Sequence, residues 1–139
     1  MTSFLMYDII NLGSEYMNDL FIIDNYVDER EFRNYINELL KKKGYQRIRL
    51  DDTRISDRDK INDNDIFAKK GEIYYTIQVF LNENITQKHI NETLKDMEKE
   101  HVSAGIIVTN NCVSIENKDY ANQKLIQIWD RTELEKDIN

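Results

Sequence analysis

At 139 residues the chain has the size of one ordinary domain, enough to bury a single core and too short for two. Hydrophobic residues at 40% and charged residues at 32% exclude the profile of a disordered chain. A net charge of −7 argues against a protein that coats nucleic acid over its whole surface, and the single cysteine, Cys112, excludes an internal disulfide.

The first 28 residues carry two short apolar runs, Phe4 to Ile10 and Leu20 to Ile23, and read as an N-terminal extension ahead of a domain over residues 29–139. No basic residue precedes the first run and Asp8 interrupts it, so neither a signal peptide nor a membrane span is expected, and a cytoplasmic protein is. The runs fit strands, an added helix or the contact of a homodimer equally well.

From residue 29 onward helix and strand signals alternate. Phe32, Ile36, Leu39 and Leu40 recur at helical spacing, Lys41 to Lys43 follow where cations complement the last carbonyls, and Gly44 stands where a left-handed cap is expected. Tyr45 to Leu50 alternates Ile48 and Leu50 with Arg47 and Arg49, the period of a half-exposed strand. A polar stretch leads to Asp65. The segments Asp65 to Ala68 and Ile73 to Leu81 are rich in β-branched and aromatic residues, and Lys69 to Glu72 between them predicts a hairpin.

Thr86 is the expected N-cap of the next helix, with Ile85 and Ile90 at the spacing of a hydrophobic staple. Its apolar face runs through Leu94 and Met97 toward His101. Gly105 to Thr109, GIIVT, is an unbroken apolar run typical of a strand covered on both faces. A helix near Asn117 to Lys124, a strand over Leu125 to Trp129 and a short last helix capped by Thr132 complete the order. Such an order predicts an α/β domain, a mixed sheet with flanking helices.

Charge is unevenly placed: residues 1–40 sum to −6, residues 41–60 to +4 and residues 61–139 to −5. The basic segment makes Lys41, Lys42, Lys43, Arg47 and Arg49 candidate nucleic-acid ligands, against the plainer reading of a solvated helix end. Familiar sites are excluded in turn. Four scattered glycines form no phosphate loop. His89 and His101 lie twelve apart with no cysteine between them, which is not zinc spacing, so both read as helix-surface or helix-end residues. Nothing marks a histidine base for Cys112, which reads as structural.

Six stretches in order carry a resemblance. They are Phe32 with the helix to Gly44 and Tyr45, Asp65 with Ile66, YTIQVF at Tyr75 to Phe80, GIIVTNN at Gly105 to Asn111, Tyr120 with Ala121, and IQIWDRTEL at Ile126 to Leu134. Together they resemble the Mrr-type branch of the PD-(D/E)XK nuclease superfamily over roughly residues 32–139. The resemblance implies a restriction-endonuclease-like fold. It also implies that Asp65 and Gln78 are catalytic and metal-binding positions for Mg²⁺, with a lysine two residues later to help activate water. Residues two apart on a strand share a face, and the residue at that place is Phe80, which can neither carry charge nor pass a proton. Asn62, Asp63 and Asn64 also stand where the family places glycines.

Three functional expectations follow. One is a catalytically impaired nuclease-fold protein that binds nucleic acid or a protein partner in DNA metabolism or defence. Another is an active metal-dependent deoxyribonuclease in which Lys69, Lys70 or Lys88 supplies the missing cation. The third is a structural subunit that dimerises through residues 1–28.

Overall fold

Helix α1 (Glu29–Lys42) is started and stopped by its own sequence, as a computed structural model describing residues 28–48 and 65–138 shows, with Asp65 and Ile138 as backbone alone. The Asp28 carboxylate accepts the Glu31 N–H at 2.8 Å, satisfying a donor that the first turn would leave bare. At the other end Gly44 takes φ +90, and the N–H groups of Gly44 and Tyr45 reach back to the carbonyls of Lys41 and Leu40 at 3.1 and 2.9 Å. This is a Schellman cap, and it turns Tyr45 into the core beside Leu40.

The chain then enters a five-stranded sheet whose spatial order follows the sequence: β1 (Gln46–Arg47), β2 (Asp65–Lys70), β3 (Ile73–Phe80), β4 (Ala104–Thr109) and β5 (Ile126–Trp129). The first three pair antiparallel and the last three pair parallel. Helix α2 (Gln87–Glu100) joins β3 to β4, α3 (Ile115–Gln123) joins β4 to β5, and α4 (Arg131–Ile138) closes the chain. The sheet is therefore mixed and flanked by helices, the restriction-endonuclease-like α/β architecture expected.

Alternation along β3 sets up two cores. Tyr75, Ile77 and Val79 pack on one face with Phe32, Ile36, Leu39 and Leu40 of α1 and with Trp129 and Leu134. On the opposite face Ile85, Ile90, Met97, Ile107, Ala121 and Ile126 form the second cluster under α2 and α3. Gly105 lets α2 lie close. A Cβ there would meet Met97 Sδ at 3.0 Å and Thr93 Cγ2 at 3.3 Å.

Several boundaries differ from expectation for identifiable reasons. Strand β1 has two residues, and the expected continuation to Arg49 and Leu50 lies outside the described residues, as do the turn Asn62 to Asn64 and, apart from Asp28, the extension 1–28 with its proposed dimer contact. The hairpin turn is tighter, Gly71 and Glu72, with Gly71 at φ +63. Helix α2 does not carry His101 on its apolar face: His101 adopts φ 58 at the C-terminus, where its N–H and that of Val102 satisfy the last carbonyls. Helix α3 starts earlier than expected, at Ile115, because the Ser114 side chain accepts the Asn117 N–H. Thr132 is not the cap of α4. Asp130 takes that role, its Oδ1 accepting the Glu133 N–H at 3.3 Å. Among the described residues no helix is long and apolar enough to cross a membrane.

Candidate functional site

The hairpin positions the residues singled out in the sequence. Asp65 and Gln78 are direct Cα partners across β2 and β3, followed by Ile66 with Ile77 and Phe67 with Thr76. Opposed residues of an antiparallel pair belong to one face of the sheet. Ile77 belongs to the α1 core, so the Gln78 position lies on the α2 side.

What meets Gln78 there is helix α2. The Gln78 side-chain oxygen accepts the Thr93 hydroxyl at 3.1 Å, and its nitrogen donates to Asp96 Oδ2. The same Thr93 Oγ1 lies 3.0 Å from the carbonyl of His89, so its single proton is shared between the two acceptors. Thr76, Gln78, Thr93 and Glu100 are all buried, and the Thr76 hydroxyl has no hydrogen-bonding partner. Buried polar groups of this kind cost about 1–3 kcal/mol each when unsatisfied, so a polar layer between strand and helix is not the cheapest way to pack a core.

Phe80 occupies the place expected of a lysine and is held by a ring. His89 packs edge-on against it, centroids 5.0 Å apart and planes at 77°. His89 stands three residues after Thr86 and its Nδ1 accepts the Thr86 N–H at 3.1 Å, completing a capping box. An accepting Nδ1 carries no proton, which leaves Nε2 directed toward Glu83 Oε1 at 3.8 Å. His89 is thus both a helix-end residue, as expected, and the partner of Phe80, which was not.

Of the three lysines considered as replacements, two lie over aromatic rings. Lys69 Nζ lies 5.5 Å from the centre of the Tyr74 ring, and Lys70 Nζ lies 4.9 Å from that of Tyr45, in the α1 core. Lys88 is exposed on the first turn of α2. Sequence reasoning missed Asp96 altogether. Its signal was a polar series at helical spacing, His89, Thr93, Asp96 and Glu100, running beside the apolar series Ile90, Leu94 and Met97.

A hard divalent cation such as Mg²⁺ takes several oxygen ligands. Here the Gln78 amide is engaged at both ends by α2, and among the described residues no three His, Cys, Asp or Glu side chains gather to hold an ion. The side chain of Asp65, the other half of the expected pair, lies outside what the structure describes, and no chemical step is derived through an ion.

The basic segment is divided rather than gathered. Lys41 pairs with Glu38 at 3.2 Å on the surface; Lys43 bonds Asp137 at 2.9 Å and lies 5.4 Å from the centre of the Trp129 ring; Lys42 also has a partner. Arg47 donates to Asn37 Oδ1 at 3.1 Å, while Arg49 lies outside the described residues.

A search of curated proteins finds no match. The family model Mrr_cat, described as restriction endonuclease, matches residues 25–137, which takes in α1, the whole sheet and nearly all of α4. The chain therefore belongs to the Mrr-type restriction endonuclease family.

Proposed function

We propose that this protein engages nucleic acid without cutting it, in DNA metabolism or defence. The observation that carries the proposal is the state of the hairpin: Gln78 is hydrogen-bonded on both sides to Thr93 and Asp96, and the Phe80 ring packs on His89 at the place of the family's lysine. Cleavage of a phosphodiester needs charge stabilisation and an activated water, and an aromatic plug offers neither. Binding asks for less, because phosphate contacts need only cations in register with the backbone.

The test is incubation of the full chain with supercoiled plasmid and Mg²⁺ or Mn²⁺, beside an Asp65→Ala variant. Supercoiled DNA should persist equally with both proteins, while a labelled duplex is bound in a salt-dependent manner. Nicking by the wild type that Asp65→Ala abolishes would overturn the proposal and return the chain to the active nucleases.

A further inference from the structure

Helix α1 buries Phe32, Ile36, Leu39 and Leu40, so its opposite side is left to solvent. There Glu29, Arg30, Arg33, Asn34 and Asn37 line a cleft of about 290 Å³. The residues 30, 33, 34 and 37 follow the i, i+3, i+4, i+7 rule and form a single stripe. The edge of the sheet adds to it. Arg47 pairs with Ala68 in register and, two residues on from Tyr45, belongs to the face of the sheet that α1 covers, where its Nη1 bonds Asn37 at 3.1 Å.

We propose that this cleft is a binding surface for the phosphodiester backbone of nucleic acid, with Arg33 and Arg47 as its principal cations. The inference rests on the nucleic-acid reading above and names the surface that serves it. Among the described residues, Arg30 and Arg33 line the cleft beside Glu29 and Arg47 joins it through Asn37, which gathers three guanidinium groups on one side of α1. Guanidinium is the group suited to a phosphodiester, because its planar fork meets two phosphate oxygens at once and stays charged at any physiological pH. The asparagines add amide donors without charge. Asn37 Oδ1 fixes the Arg47 fork from behind.

Electrostatics supports the assignment independently. The Arg47 guanidinium is held below the usual arginine range, first by partial burial and then by the like charge of Arg33. An anion that bridges Arg33 and Arg47 would offset that like-charge contact. An acidic protein segment would offer the same sign, but a carboxylate side chain is flexible and singly spaced. A backbone of regularly repeated phosphates engages several cations of one stripe together.

The experiment measures the affinity of the full chain for a fluorescently labelled duplex over a range of salt concentrations. Four proteins are compared: wild type, Arg33→Gln with Arg47→Gln, Arg33→Lys with Arg47→Lys, and Lys95→Gln with Lys99→Gln, exposed on α2 across the sheet, as a control away from the cleft. Circular dichroism and thermal melting establish that each is folded. The double glutamine variant should bind about tenfold or more weakly, and its log–log salt slope should be smaller by about 2. The double lysine variant should keep most of the slope, and the control should match wild type. If wild type binds and the glutamine variant binds equally well with an unchanged slope, this surface is wrong while the nucleic-acid reading stands. If wild type binds no duplex, or polyglutamate displaces the duplex at equal charge concentration, both are overturned.

Discussion

At the scale of single residues the hairpin shows how little separates a nuclease position from a packing position. Gln78 is neutral, and that neutrality is what allows Asp96 to lie against it. Replacing Gln78→Glu would set two carboxylates face to face beneath a helix and also deprive Asp96 of its donor. Like charges in one site push one carboxyl pKa upward. The new carboxyl would then titrate above its unfolded value, so its contribution to stability is complete at acid pH and is lost as pH rises through the folded pKa. We expect the variant to be less stable by about 1–3 kcal/mol at pH 7, with the deficit shrinking toward pH 5. Thermal melting across that range checks it, and an equal deficit at both ends would contradict the charge explanation.

At the scale of elements, caps decide the boundaries. Helix α1 ends on Gly44 with a positive φ, whereas α2 ends on His101 in the same left-handed region. A side chain with a Cβ is disfavoured there by about 1–2 kcal/mol, which the extra backbone freedom of an unfolded glycine offsets in part. His101→Gly should therefore raise stability by roughly 0.5–1 kcal/mol, and the melting temperature by about 3 °C. A lower melting temperature would mean that the exposed imidazole makes a contact worth more than the strain.

The same elements show what the sequence made legible. The α1 stripe ending in Gly44, the hairpin, the staple of Ile85 with Ile90 and the GIIVT strand were all readable, because each rests on local periodicity or a local cap. The capping role of His89 was not, because histidine is an unusual N3 residue; Asp130 caps α4 through a bond only three residues along the chain, and Thr132 beside it was the wrong choice. Asp96 was hidden for another reason. It lies eighteen residues from Gln78, and nothing local announces that a helix will fold back with that turn downward. Register, by contrast, was within reach, since a tight turn at Gly71 and Glu72 sets Asp65 opposite Gln78.

For the whole molecule, the buried Asp130 carboxylate is the point where the elements at the carboxyl ends of β4 and β5 meet. It accepts the Val113 N–H at 2.9 Å, the Glu133 N–H at 3.3 Å and an ion pair from Lys118 at 3.0 Å, joining the β4–α3 connection, α4 and α3. Removing it by Asp130→Ala leaves a buried amide and a helix start without acceptors. The expected loss is about 3 kcal/mol by urea denaturation, with Asp130→Asn losing less because its oxygen still caps α4. A loss below about 1 kcal/mol for the alanine variant would show that water replaces the carboxylate.

The spatial order of the five strands matches their order along the chain, so each new strand emerging from the ribosome finds its neighbour already made. The hairpin needs only a short loop to close, and β4 and β5 each add through a single helical crossover. What must wait is the seal between distant segments: Lys43 to Asp137 spans 94 residues, and Trp129 reaches Tyr45 only once β5 has been synthesised. Synthesis halted before residue 126 would leave the α1 core open on the side that Trp129 and Leu134 cover, so β5 and α4 are the segments whose arrival closes that core.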